Sequence, residues 1–212
     1  VFKLRWPNDF NDSHLGFALH VYSGLAVFNF FAECVNRAPR LVIEQPHLVK
    51  KVIFPIEILP WVSALTALVH LGIAWGLMVV VLIFDQGHVY PTVLLAPLVW
   101  APLLPLCVGL GWLLAGIGTY LRDVTQILAM LLSLMMFLSP IFFPLSSLPP
   151  EAQFWAGLNP LALPITLTRL VMLEGVTPNW LEWTVHLAGC CMVAVVGAYF
   201  FAKTRRGFAD VL

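Results

Sequence analysis

Residues 58–84 read ILPWVSALTALVHLGIAWGLMVVVLIF, with no Lys, Arg, Asp or Glu from Ile58 to Phe84. A bilayer core asks for about 20 mostly apolar residues per helix. A backbone surrounded by lipid must satisfy its own hydrogen bonds, which a helix does along its length. The stretch therefore predicts a transmembrane helix. Leu15–Cys34, Thr92–Tyr120, Val124–Phe143 and Leu181–Ala202 give the same reading. The expected fold is all-α, a polytopic membrane helical bundle with five spans present, in one domain over residues 1–212. Composition agrees: 60% of residues are hydrophobic and 10% charged, against about 25% charged in a soluble domain. There is too little polar surface to cover a water-exposed globule, so lipid is the main solvent.

Charge excludes some functions and orients the rest. The formal net charge is zero, whereas a nucleic-acid binder needs a basic face. Between the first two spans lies a proline-punctuated connector, NRAPRLVIEQPHLVKKVIFPIEILP, from Asn36 to Pro60. It carries Arg37, Arg40, Lys50 and Lys51. Arg122 follows the third span, and Lys203, Arg205 and Arg206 follow the last. The opposite loops hold Asp9, Asp12, Asp85, Glu151, Glu174 and Glu182, with Lys3, Arg5 and Arg169. Cations gather on the cytoplasmic side, so the connector and the C-terminus are expected there. Five spans then put Val1 outside. With no initiator Met and no signal-peptide core, a preceding segment is expected, with a sixth span.

After the fourth span the pattern changes. Leu145–Pro150 is turn-rich, and Glu151–Leu158 and Pro160–Leu173 are too short to cross. Asn159 as N-cap before Pro160 starts a helix well, and Gly175 stops one. Two short re-entrant outer helices are expected. In the third span, Pro97, Pro102 and Pro105 predict kinks. Gly109, Gly111, Gly116 and Gly118 predict close helix packing.

No catalytic constellation emerges: no HExxH, no GxSxG, and no cysteines at zinc spacing. Cys34, Cys107, Cys190 and Cys191 read as buried free thiols rather than a disulfide framework. His20, His70 and His186 lie within spans, where ionisable groups are functional candidates, but no second ligand stands at helical spacing, so no metal is expected. Glu33 and Arg37 are placed for a helical ion pair. GxxxxGK[ST] is absent, so any ATP drive requires a separate subunit.

The connector, Tyr120-Leu121-Arg122-Asp123, Ser139-Pro140-Ile141-Phe142-Phe143-Pro144 and Gly207-Phe208-Ala209-Asp210 together resemble the permeases of ABC-2-type polysaccharide exporters, most of all those exporting O-antigen. The resemblance runs over essentially the whole chain. It implies a six-span permease of the bacterial inner membrane that pairs with a second copy of itself and with two ATP-binding subunits, which hold the ATP and Mg. The cargo implied is a lipid-linked polysaccharide. ATPase coupling would fall within 36–51, on Asn36, Arg37, Arg40, Glu44, His47, Lys50 and Lys51, with movement passing through Pro55 and Pro60. Arg122 and Asp123 form a cytoplasmic turn. The short helices, Pro149–Gly157 and Pro160–Leu173, correspond to an outer gate that includes Pro149, Pro160 and Arg169. Arg169 is expected to meet polymer hydroxyls or lipid phosphate, or to snorkel toward headgroups. Tyr22, Phe28, Phe31 and Trp61 are expected to line the polymer path. The rivals are an ABC-2 exporter of capsular polysaccharide, teichoic acid or a drug, an integral-membrane enzyme on lipid-linked sugars, and a passive channel.

Overall fold

The computed structural model describes residues 14–45, 55–121, 123–147 and 149–208. All regular structure among them is helical. Helix α1, His14–Arg37, meets no proline until Pro39, which opens a 3-10 turn at Ala38–Arg40. Arg37 lies in its last turn, where a cation complements the helix dipole. Helix α2, Leu59–Gln86, follows a 3-10 turn at Ile56–Ile58. It stops at Gly87, whose φ of 67° is left-handed.

The expected third span is two helices, α3 (Ala96–Trp100) and α4 (Leu103–Tyr120). The break falls at Ala101-Pro102, because proline lacks the N–H and crowds the preceding turn. Helix α5 is Val124–Leu138, 15 residues, and does not reach Phe143 as expected. Ser139 precedes Pro140, and a residue before proline is pushed out of the helical region. At 1.5 Å per residue α5 spans about 22 Å, short of a hydrocarbon core of about 30 Å. Then come α6 (Pro150–Gly157), α7 (Ala162–Arg169) with a π turn at Leu170–Glu174, and α8 (Trp180–Thr204). Helix α7 starts two residues after Pro160. Gly175 ends the π turn with φ 69°.

Among the described residues, four stretches are long and apolar enough to cross a membrane: Leu15–Arg40, Ile56–Asp85, Pro91–Tyr120 and Trp180–Thr204. With the shorter apolar α5, the chain is a polytopic helical membrane protein.

Packing divides the chain into two compact units. The first draws on Val1–Asn29, Leu71–Trp100 and Leu134–Thr184, and the second on Phe30–His70, Ala101–Ser133 and Val185–Leu212. In the first, α7 is the centre: Leu161, Ile165 and Val171 are fully buried. Trp100 Nε1 donates to Thr168 Oγ1 at 2.9 Å, and Thr92 Oγ1 to the Val171 carbonyl at 2.6 Å.

The second unit is assembled on glycines. A Cβ on Gly109 would lie 2.6 Å from Ala194 Cα, and Gly197 sits against the Gly109 carbonyl. Helices α4 and α8 therefore meet backbone to backbone, which small residues permit. Gly111 receives Pro60, and Gly118 receives Pro39. Val42, Ile56, Leu59, Ala115, Phe201 and Phe208 form the buried core beside these contacts.

Candidate functional site

Between α1 and the end of its described part at residue 45, the connector is not an α-helix. Pro39 limits it to a 3-10 turn, and residues 41–44 continue as turns. Its apolar side is anchored: Ala38 and Val42 are fully buried. Pro39 lies so close to Gly118 that a Cβ there would come within 2.6 Å of the Pro39 Cα. Its polar side, Asn36, Arg37, Arg40 and Glu44, is exposed. The connector is thus a charged strip fastened to α4 by a proline in a glycine notch. His47, Lys50, Lys51 and Arg122 lie outside the described residues. Asp123 opens α5, and its carbonyl accepts the Gln126 N–H at 3.1 Å.

Two cavities flank this strip. One, about 520 Å³, is lined by Asn36, Arg37, Arg40, Gln45, Ser63 and Thr66 among others. The other, about 700 Å³, is lined by Pro39, Arg40, Glu44, Gly118, Thr125 and Gln126 among others. Arg40 and Glu44 border both.

Glu33 is a junction. Its carboxylate meets Arg37 at 3.5 Å and His70 Nδ1 at 2.8 Å. The Arg37 pair follows from four-residue spacing on one helix. The His70 partner stands on α2 and carries no signal in local spacing. Pro60, expected to relay motion, is seated in the Gly111 notch. Near the end of the connector, Glu57 pairs with Arg205, and outside it Tyr120 donates to the Thr204 carbonyl at 3.0 Å.

The four aromatic residues expected along a polymer path differ in exposure. Phe28 and Phe31 are 5% and 3% exposed. They are buried side chains packed by their own chain. Tyr22 is half-buried, its hydroxyl 3.4 Å from the Ala74 carbonyl. Trp61 is exposed and stands edge-on to Trp112 at 6.3 Å.

Arg169 also departs from expectation. It is 3% exposed and does not reach for headgroups. Its Nε donates to the His20 carbonyl at 3.0 Å, Nη1 to the Pro140 carbonyl at 2.5 Å and Nη2 to the Ile141 carbonyl at 2.6 Å. The reason lies in α5. Once Pro140 ends that helix, the carbonyls of a buried turn have no helical donors. Irregular backbone at membrane depth is tolerated only where the protein supplies partners. The guanidinium supplies them. Burial pulls Arg169 down to about 9, with the Glu174 carboxylate pulling the other way, so it is charged at neutral pH. Asn159 ties the same turn, donating from Nδ2 to Ser139 Oγ at 2.8 Å, while its Oδ1 accepts the Leu161 N–H. Pro149 precedes α6 and is exposed.

Among the intramembrane histidines, His20 Nδ1 lies 2.9 Å from the Gly16 carbonyl and His186 Nε2 lies 3.5 Å from Cys190 Sγ. Among the described residues no group of three His, Cys, Asp or Glu side chains is placed to hold a metal ion. All four cysteines are free. Cys191 is exposed, against the expectation of burial.

The described residues thus make a polytopic helical membrane protein with glycine-notched helix contacts and a charged connector. Residues 6–173 match the ABC-2 type transporter family, and the chain belongs to that family. It is 28% identical to the O-antigen export system permease protein RfbA of Myxococcus xanthus, over 90% of this chain and 74% of that one. It is 27% identical to the polysialic acid transport protein KpsM of Escherichia coli, over 86% and 69%. It is 22% identical to the O-antigen export system permease protein RfbA of Klebsiella pneumoniae, over 100% and 79%.

Proposed function

We propose that this chain is the permease subunit of an ATP-driven exporter that moves lipid-linked O-antigen polysaccharide across the bacterial inner membrane. The observation that carries this reading is the family match over residues 6–173, joined to relatives named for O-antigen export. The drive comes from two ATP-binding partner subunits, which hold ATP and Mg, and the path forms with a second copy of this chain. The charge bias of the loops supports a cytoplasmic connector and C-terminus, with α6 and α7 as the outer gate on the far side.

The connector's construction suits a mechanical coupling element. A push on the exposed Arg40–Glu44 face reaches α4 through Pro39 in the Gly118 notch, and Pro60 in the Gly111 notch joins α2 to the same helix. Packed contacts of this kind shift between discrete arrangements rather than deform smoothly. ATP-driven closure of the partners would bias that choice.

The test is to purify the protein with the products of its neighbouring genes and measure ATP-dependent export of polysaccharide in inverted vesicles. The expected result is a copurifying ATPase and export that Lys50→Glu uncouples from ATP hydrolysis. Purification without an ATPase, or normal export by Lys50→Glu, overturns the reading. Capsular polysaccharide as cargo is the second reading, favoured by the likeness to KpsM. Deletion of the gene decides it: the polymer that accumulates inside the cell is the cargo.

A further inference from the structure

Helix α1 is covered by its own chain around most of its circumference: Leu19, Val27, Phe28, Phe30 and Phe31 are all buried. What stays uncovered is one seam. Ala18, Tyr22, Leu25, Asn29, Ala32 and Asn36 are each exposed or half-buried. They follow one another at steps of four, three, four, three and four residues. That is the spacing along which one helix packs against another. At one end of the seam, Ala18 and Tyr22 border a cavity of about 240 Å³ whose other walls include Leu77 and Met78. It offers room to apolar side chains from a neighbour.

Asn29 stands in the middle of this seam. It lies eight residues, about 12 Å, from Arg37 in the last turn of α1, well inside the Leu15–Arg40 span. Its side chain is exposed and has no hydrogen-bond partner among the described residues. The polar side chains on either side of it do have partners. The Tyr22 hydroxyl donates to the Ala74 carbonyl at 3.4 Å, and Glu33 meets Arg37 and His70. An amide turned toward hydrocarbon is costly, so a polar group within a span faces water or protein. Leu25 and Ala32, its neighbours in the seam, are apolar and hold no water beside it. The missing partner is therefore protein.

Self-complementarity identifies that protein. An amide carries both donors and acceptors, so two asparagines satisfy each other. Copies related by a two-fold axis along the bilayer normal run their equivalent helices parallel, and a residue at the axis meets itself. A lone asparagine in a seam of this spacing fixes the register of such a parallel pair. Hydrogen bonds between amides join helices in lipid, and the small Ala26 and Ala32, three residues to either side, let the backbones come close.

We infer that α1 packs along this seam against α1 of a second copy, with the two Asn29 amides hydrogen-bonded to each other across the axis. The inference rests on the exporter reading for the second copy and adds the surface that meets it.

The experiment uses the full chain in native membranes, in a Cys191→Ser background because Cys191 is exposed. Oxidation with copper phenanthroline is expected to join Asn29→Cys into a covalent dimer. Asn29→Leu, close to asparagine in size, is expected to weaken the dimer about tenfold in a bilayer, the value of a pair of interhelical hydrogen bonds. Asn29→Gln, which keeps the amide, weakens it less. Three results overturn the inference in protein recovered at wild-type yield. One is an Asn29→Leu dimer as tight as wild type. Another is labelling of Asn29→Cys by a water-soluble maleimide without cross-linking, which puts the residue in a water-filled path. The third is neither reaction, which puts it against lipid or another part of its own chain. A cross-linked dimer with no copurifying ATPase leaves this inference standing and sinks the exporter reading. A copurifying ATPase without the cross-link does the reverse.

Discussion

Replacing Arg169 by Met keeps the length of the side chain and removes every donor. Three carbonyls then lose a partner. The His20 carbonyl belongs to α1 and keeps its helical surroundings, including Ser23 Oγ at 2.8 Å. The Pro140 and Ile141 carbonyls lie in the buried turn after α5 and have no such reserve. An orphaned buried carbonyl costs about 1–2 kcal/mol, so two cost about 2–4 kcal/mol. For a chain of this size that is an apparent Tm drop of about 5–15 °C. The methionine has tight limits: even a Cβ on Gly24 would lie 2.9 Å from Nη2 of the present side chain. Thermal unfolding in detergent, followed by loss of the monodisperse peak, reads the effect. Arg205→Ala is the control. It removes the same charge from a half-exposed pair with Glu57, which is worth about 0–1 kcal/mol. Arg169→Met as stable as Arg205→Ala would refute the role of the guanidinium as a cap for a broken helix.

Three other substitutions test separate parts of the structure. Gly118→Val puts side-chain atoms into Pro39 and lifts the connector from α4; overpacking of this kind costs about 1–3 kcal/mol, and under the exporter reading ATP hydrolysis persists while export in vesicles falls. Gly197→Val drives a wedge between α8 and the Gly109 carbonyl, so folded protein recovered from membranes should fall sharply, whereas Gly189→Val, with open space at its Cβ, should not. Burial raises the Glu174 carboxyl above its ordinary value, with Arg169 opposing. The folded state then holds that proton to higher pH than the unfolded state does. Wild type should lose stability relative to Glu174→Gln as pH rises from the ordinary glutamate range through the raised value; parallel Tm curves between about pH 4 and 7 would contradict the burial of that carboxylate.

The long helices were legible because an apolar run of span length has one stable form in lipid, and prolines mark its breaks. Pro97, Pro102 and Pro105 predicted kinks in the third span, and the break falls at Pro102 while the other two lie inside helices; Gly175 predicted the end of the short outer helix. The end of α5 was also written in Ser139-Pro140, but apolar residues up to Phe143 hid it: hydropathy does not distinguish a helix from a buried turn. Which side of a helix meets its own chain was not legible either. Phe28 and Phe31 have the aromatic character of a path lining, yet they are core, because the choice depends on partners far along the chain. Arg169 shows the same limit from the polar side. Read alone, an arginine near a membrane surface snorkels. Its real partners are residues 20, 140 and 141, and nothing local announces them.

The two kinds of arginine in this chain share one physical logic. A charge survives near lipid only where oxygen atoms surround it. Arg169 has found its oxygens within the chain, in carbonyls that Pro140 freed from their helix, and so it holds structure. Arg40 has an exposed place on a cavity wall and no carboxylate partner among the described residues. Its oxygens must come from water or from a ligand. Water satisfies a surface arginine at little cost. The difference between a structural arginine and a surface one is therefore readable from who supplies the oxygens.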